Sequence, residues 1–296
     1  MEVQGFFYFF SIMLYLLLAI FFTTLMLVVF KLIGLYKVNV EQAVAFNYLF
    51  ASVTGFILTP TGSSVFSILE KDWFVFAVLA GTMFMLNFYV FAASSKKDGV
   101  AITAVSSKMS VVIPVLAGFL LFKDEVTLIK IAGILLGLFS FLLILYPSEK
   151  ISVPRHYLLF PVLLFLGTGL NDTIVKYVQF NFLNGDESLF VESVFTVSFV
   201  LSWLVLIFKM IKVKKGLDVK SVVAGLILGA VNFMGAWNFL KSMAYFQASV
   251  LFPVVNVSVV TLSTLTGMII FKEKLKPINL LGLFMALMAI LMISLG

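Results

Sequence analysis

Near-continuous apolar runs recur about every thirty residues along this 296-residue chain, from Phe6 to Leu295. A helix needs about 20 mostly apolar residues to cross a bilayer, and ten segments meet that requirement. They span residues 6–33, 41–60, 73–95, 99–121, 126–146, 156–181, 187–209, 219–243, 247–270 and 275–295. Solid apolar runs differ from the alternating ten-residue strands of a membrane barrel. The pattern therefore predicts an all-α polytopic membrane protein with ten transmembrane helices.

The late part of each half of the chain carries matching residues at a constant offset of 149. The pairs are Ser107 with Asn256, Gly118 with Gly267, Phe122-Lys123-Asp124 with Phe271-Lys272-Glu273, and Gly133 with Gly282. Sparser matches at an offset of 145 pair Lys31 with Lys176 and Asn47 with Glu192. The sequence thus predicts two five-helix repeats, residues 1–146 and 147–296, within one bundle. Because each half has an odd number of spans, the two repeats are expected to insert with opposite orientation.

Composition excludes an ordinary soluble domain and several classes of chemistry. Hydrophobic residues make up 62% of the chain and charged residues 11%, whereas soluble domains carry about 25% charged residues. Cysteine is absent and His156 is the only histidine, so disulfides and histidine-based metal clusters are not expected. The phosphate loop of ATP-hydrolysing proteins is also missing. We predict no enzyme activity, cofactor or metal, and transport driven by a gradient, by exchange or by substrate concentration.

Polar and small residues follow one face of the predicted fourth helix, and the ninth repeats the arrangement. The fourth carries Thr103, Ser106, Ser107, Ser110, Pro114 and Gly118, and the ninth carries Ser249, Pro253, Asn256, Ser263, Thr264 and Gly267. Small and hydroxyl residues let membrane helices approach closely. The same faces are equally suited to line a central cavity. Both interpretations, close packing and cavity walls, stay open from the sequence.

Inserting a charged residue at the centre of a membrane helix costs about 2.5–3.5 kcal/mol of free energy. Charged residues within apolar spans are therefore candidates for a functional role. Lys108 is predicted near the membrane midplane, either paired with a carboxylate of Asp172 or Glu192 or contacting an anionic substrate group. Asp172 can also pair with Lys176 on one helix face. Either Asp172 or Glu192 is a candidate for proton coupling, and the repeat partner of Glu192 is the neutral Asn47.

Three aromatic residues are weaker candidates for stacking against a substrate, namely Trp237, Tyr89 and Trp203.

The two phenylalanine-lysine-acid turns, each followed nine residues later by a glycine, resemble the drug/metabolite transporter superfamily in its ten-helix EamA-like branch. The chain departs from that pattern at two places. Pro114 pairs with Ser263 and Pro253 with Ala104, where the family often has matched prolines. Asn47 also stands where many members have an arginine early in the second helix. The resemblance therefore implies the architecture without specifying a substrate.

The resemblance implies a secondary-active transporter, an exporter or exchanger of a small polar or amphipathic metabolite such as an amino acid, working by alternating access. The alternative is a flippase or scramblase-like carrier of an anionic lipid-linked precursor. The expected partners are the small-molecule substrate and the lipid bilayer, without nucleic acid, and the chain is expected to be a monomer or homodimer. A bacterial cytoplasmic membrane is the expected location.

Orientation has two conflicting indicators. Fourteen basic residues fall at alternate loops on one side and five on the other, which predicts both termini outside the cytoplasm. The family resemblance implies both termini inside.

Overall fold

Helices form every regular element of the residues that the computed structural model describes. These are residues 2–36, 38–58, 68–97, 100–144, 146, 159–183, 185–213, 216–272 and 276–296. The helices are α1 (Glu2–Leu35), α2 (Val40–Leu58), α3 (Phe74–Lys97), α4 (Val100–Met109), α5 (Val112–Leu121), α6 (Leu128–Ile144), α7 (Leu159–Asn181), α8 (Glu187–Val213), α9 (Val219–Met243), α10 (Ala248–Ile270) and α11 (Pro277–Leu295). The predicted repeat boundary after residue 146, His156 and Glu273 lie outside the described residues.

Seven helices in the described part of the chain are long and apolar enough to cross a membrane, namely α1, α3, α7, α8, α9, α10 and α11. An all-helical, multi-pass architecture agrees with the sequence prediction. The number of ten spans and the inverted orientation of the repeats stay predictions.

The predicted fourth span, residues 99–121, is divided into α4 and α5 by a turn at Ser110 and Val111. Pro114 explains the break, because proline lacks the N–H that would bond to the Ser110 carbonyl and its ring crowds that oxygen. Ile113 N–H donates to this carbonyl instead, at 3.0 Å. The Ser110 hydroxyl donates to the Ser107 carbonyl at 2.5 Å. The break thus leaves polar backbone and side-chain groups in the middle of an apolar span.

Two compact units emerge from the packing, and each combines segments from both predicted halves. The first contains Met1–Phe88 and Tyr177–Ala244, in which α9 packs against α1 and α2, and α2 against α8. The second contains Tyr89–Lys176 and Tyr245–Gly296, in which α6 packs along α11, and α10 contacts α5, α6 and α11. This division by packing does not test the predicted sequence repeat.

The two matched turns after α5 and α10 share a backbone conformation. Phe122 and Phe271 end their helices with φ of −102° and −94°, and Lys123 and Lys272 follow at φ of 57° and 54°. In both turns the phenylalanine N–H donates to the carbonyl of the glycine four residues earlier, at 3.2 Å. A residue in the left-handed region is a common way to end a helix, although glycine usually supplies it. The sequence match at offset 149 therefore extends to local geometry.

The matched glycines of α6 and α11 occupy reciprocal positions where these two helices touch. A Cβ added to Gly133 would lie 2.9 Å from Ile293 Cγ1, and one added to Gly282 would lie 2.6 Å from the Ile144 nitrogen. Each glycine therefore permits the backbone of the other helix to come close. Small residues commonly serve this purpose in membrane helix pairs.

Candidate functional site

Helix α7 meets the break between α4 and α5 at Gly169. A Cβ at this position would lie 2.5 Å from Ile113 Cδ1 and 2.8 Å from the Ser110 carbonyl oxygen. Only glycine allows this approach without displacing the neighbouring backbone. Because Asp172 follows Gly169 by nearly one helical turn, the close contact brings its carboxylate toward the end of α4.

Lys108, in the last turn of α4, reaches across to α10. Its ammonium donates a hydrogen bond to Asn256 Oδ1 at 3.1 Å. The Asn256 amide nitrogen donates to the Phe252 carbonyl at 2.9 Å, which fixes the amide orientation and turns its oxygen toward the lysine. An amide oxygen is a neutral acceptor, so this contact does not by itself neutralise the positive charge of Lys108.

Asp172 lies within electrostatic range of Lys108, and both side chains are half-buried. Asp172 shares the second unit with Lys108, whereas the other proposed partner, Glu192, belongs to the first. Three of the sequence-derived candidates, Lys108, Asp172 and Asn256, are thus brought together by α4, α7 and α10. A fourth, Ser107, lies beside Lys108 and binds Ser110 through its carbonyl.

The acidic turn after α5 anchors the start of α10. Asp124 is buried, and its Oδ2 accepts a hydrogen bond from the Ser249 backbone N–H at 2.6 Å. A Cβ at Gly118 would lie 2.6 Å from the same oxygen, so the glycine makes room for the carboxylate. Lys130 is also buried, donating to the Gln247 side-chain oxygen at 3.0 Å. For Gly118 these contacts support the close-packing interpretation of the polar face.

Lys176 is buried, and its ammonium contacts the segment just before α10. Its side chain is 4% exposed, and its ammonium donates to the Phe246 carbonyl at 3.5 Å, just before α10. The carboxylate of Asp124 acts electrostatically on this ammonium. Sequence reasoning missed this buried cluster around the acidic turn. A glycine four residues before the Phe-Lys-acid motif is the signal that could have indicated it.

Asn47, another candidate, is fully buried in the first unit between α2 and α9. The Asn232 amide nitrogen donates to Asn47 Oδ1 at 3.1 Å. The Asn47 amide nitrogen has no hydrogen-bond partner among the described residues. Leaving a buried donor without a hydrogen bond costs about 1–3 kcal/mol. The unsatisfied amide nitrogen therefore lowers the stability of this packing region.

Glu192 and Trp237 both lie near the buried Phe233 in the first unit. A Cβ at Gly55 would lie 3.2 Å from Glu192 Cα and 3.3 Å from the Phe233 ring, so these groups adjoin. Phe233 and Trp237 are stacked, with centroids 6.4 Å apart and planes at 9°. The Lys241 ammonium lies 4.9 Å from the centre of the Trp237 ring. The arrangement brings the Lys241 ammonium beside two stacked rings, and the same ammonium lies 3.4 Å from Glu187 Oε2.

The remaining aromatic candidates differ in surroundings. Tyr89 lies on α3 at the beginning of the second unit, with a buried hydroxyl oxygen. Trp203 donates its indole N–H to the Ala45 carbonyl at 3.1 Å, which ties α8 to α2. That bond gives Trp203 a structural role.

Between α7 and α8, outside the membrane-spanning helices, Asp186 forms a compact charged contact. Its Oδ2 lies 2.7 Å from the Lys71 ammonium and accepts a hydrogen bond from the Trp73 indole N–H at 3.1 Å. Partial burial opposes ionisation, but the hydrogen bonds from Lys71 and Trp73 outweigh it and lower the pKa of Asp186. The ionised carboxylate therefore holds the entry to α3 against the entry to α8.

The amino-terminal part of the chain is similar to a known family. Residues 10–146 match the EamA-like transporter family. The matched segment is similar to EamA-like transporters. This similarity is consistent with the resemblance to the drug/metabolite transporter superfamily, and together with the apolar helices it supports an integral, multi-pass membrane protein.

Two further similarities cover nearly the whole chain. An uncharacterized protein of Haemophilus influenzae (strain ATCC 51907 / DSM 11121 / KW20 / Rd) is 25% identical over 272 residues, which is 89% of this chain and 91% of the relative. A solved crystal structure matches with a TM-score of 0.79 at 14% identity, covering 96% of both chains. At that identity the structure shows a shared fold and nothing about substrate.

Proposed function

We propose that this EamA-like protein is a secondary-active transporter of a small metabolite bearing an anionic group, such as an amino acid, and that it works by alternating access. The observation that supports this most is the hydrogen bond between Lys108 and Asn256. It places a lysine ammonium beside a neutral partner inside an apolar span. Burying a charge there costs free energy, so charged residues in such spans usually have a function.

In the proposed site, Lys108 binds the anionic group and Asn256 holds the ammonium in position. Asp172, within electrostatic range, balances the charge when substrate is absent and carries the coupling proton. Binding of an anion then competes with the attraction between Lys108 and Asp172. This competition links substrate binding to the charge state of Asp172, as coupled transport or exchange requires.

A thermal-shift screen of the purified protein against a metabolite library tests this assignment. A ligand that binds only the folded state raises apparent stability by mass action, by about 2.7 kcal/mol at one hundred times its dissociation constant. We expect hits among compounds with a carboxylate or phosphate group. Lys108→Met should remove the shift, whereas Lys71→Gln, which alters a lysine outside the spans, should keep it.

Two outcomes would contradict the proposal. One is a set of hits that stabilise wild type and Lys108→Met equally. The other is stabilisation restricted to lipid-linked phosphates, which would favour a flippase-like carrier over a metabolite transporter.

A further inference from the structure

A groove lies in the first unit between the beginning of α2 and the end of α8. It encloses about 730 Å³ and is lined by Asn39, Glu41, Gln42 and the α8 residues Leu204, Val205, Leu206, Phe208, Lys209, Met210 and Lys212. Its wall therefore changes from apolar to basic as α8 approaches its end. None of the residues assigned to the proposed transport site contributes to it.

The charges of the groove are unequally compensated. Lys209 forms an ion pair with Glu41 at 2.7 Å, so these two charges cancel. Lys212 is exposed, and its ammonium has no partner among the described residues. Residues 209–220 contain five lysines and a single acid, Asp218, whose carboxylate caps α9 by accepting hydrogen bonds from Ser221. Lys212 therefore contributes an unpaired ammonium to the groove at the end of α8 among the residues that the structure describes.

An apolar strip leads directly to that ammonium. Leu204, Phe208 and Lys212 are spaced four residues apart, which places them on one face of α8. Leu204 and Phe208 are 60% and 68% exposed, as expected for side chains that face lipid. The apolar strip along α8 is complementary to the acyl chain of a phospholipid. The ammonium at the end of the helix is complementary to the phosphate, which follows the acyl chain in the lipid.

We propose that this groove binds an anionic phospholipid. Lys212 contacts the phosphate, and one acyl chain lies along Phe208 and Leu204. Basic pockets at the end of membrane helices attract anionic headgroups, at about 1 kcal/mol, or roughly fivefold in affinity, per lysine. Glu41 weakens lipid binding, because its ion pair with Lys209 prevents the Lys209 ammonium from contacting the headgroup.

The test is a titration of the detergent-purified protein with dioctanoyl phosphatidylglycerol, followed by native mass spectrometry. Dioctanoyl phosphatidylcholine and sodium phosphate serve as separate probes of charge and of the acyl chain. We expect phosphatidylglycerol to bind preferentially. Lys212→Gln should weaken this binding about fivefold, and Glu41→Gln should strengthen it by releasing Lys209.

Lys71→Gln is the matched control. Lys71 and Lys209 both form 2.7 Å ion pairs, with side chains 40% and 49% exposed, but Lys71 pairs with Asp186 at the opposite end of α8. The control should bind phosphatidylglycerol as wild type does. Equal binding of phosphatidylcholine, an unchanged affinity of Lys212→Gln, or full competition by sodium phosphate alone would each overturn the proposal.

Discussion

The Lys108 ammonium donates a 3.1 Å hydrogen bond to Asn256 Oδ1, which joins α4 to α10. Asn256 is the repeat counterpart of Ser107, the neighbour of Lys108 in the chain. The contact therefore links corresponding regions of the two predicted repeats. It also lies beside the helix break caused by Pro114. A polar group, a cation and a discontinuous helix thus occur together in the second unit.

Replacing Lys108 with methionine should distinguish a structural role of this lysine from a role in substrate binding. Lys108→Met leaves the Asn256 oxygen and the Asp172 carboxylate without the cation, and an unsatisfied buried polar group costs about 1–3 kcal/mol. If the lysine is needed to balance Asp172, thermal unfolding in detergent should occur at lower temperature. Adding Asp172→Asn should then restore much of the loss. A single variant with wild-type stability and wild-type transport would remove Lys108 from both roles.

The Gly118 position should not accept alanine. The new Cβ would lie 2.6 Å from Asp124 Oδ2 and 3.1 Å from the Ser249 nitrogen, and so disrupt the cap on α10. We expect Gly118→Ala and Asp124→Asn each to destabilise the protein by about 1–3 kcal/mol. Gly34→Ala is the control, because its Cβ would meet nothing within 4 Å. Equal melting temperatures for Gly118→Ala and Gly34→Ala would show that the cap contributes little.

The packing of α6 against α11 predicts an order of sensitivity. A Cβ at Gly282 meets the Ile144 backbone at 2.6 Å, whereas one at Gly133 first meets side-chain atoms at 2.9 Å. Side chains yield more readily than backbone, so Gly282→Ala should lower the unfolding temperature more than Gly133→Ala. Gly235→Ala, whose nearest neighbour is 3.6 Å away, should be tolerated. The reverse order would contradict this account of the helix contact.

The Asp186 contact predicts a pH-dependent contribution to stability. Because the folded-state pKa is lowered, the carboxylate contributes stability above the unfolded pKa of about 3.9, and the contribution disappears as pH falls through the folded pKa. Asp186→Asn should therefore lower the unfolding temperature at pH 7. The difference from wild type should shrink when both are measured near pH 3. A difference that persists unchanged at low pH would indicate that ionisation is not involved.

Much of the helical architecture could be predicted from the sequence, because an apolar run of about 20 residues can bury its backbone in lipid only as a helix. The two matched turns after α5 and α10 could be found because the Phe-Lys-acid sequence recurs at an offset of 149. The break at Ser110 was not predicted. Pro114 was noted as a polar-face residue, but its effect on the preceding turn depends on whether a neighbouring N–H or O–H donates a hydrogen bond to the freed carbonyl.

The sequence predicted which residues form the candidate site, but it did not predict the contacts between them. Lys108, Asp172 and Asn256 were identified by the cost of polar groups in lipid, which sequence alone reveals. These residues come together because Gly169 has no side chain, which lets α7 approach the break between α4 and α5. A single glycine in a sequence does not indicate that another helix packs against it. The contact of Lys176 with the Phe246 carbonyl could not be predicted either, since this acceptor is a backbone atom.

The most direct test is transport by purified protein in liposomes, using a labelled compound identified by thermal shift. Wild type should accumulate the compound by exchange or down a proton gradient. Lys108→Met should reduce transport at least about tenfold, the equivalent of 1.4 kcal/mol of lost binding. Lys71→Gln, with its lysine outside the spans, should transport as wild type does. Wild-type rates and an unchanged KM in folded Lys108→Met would contradict the proposed site.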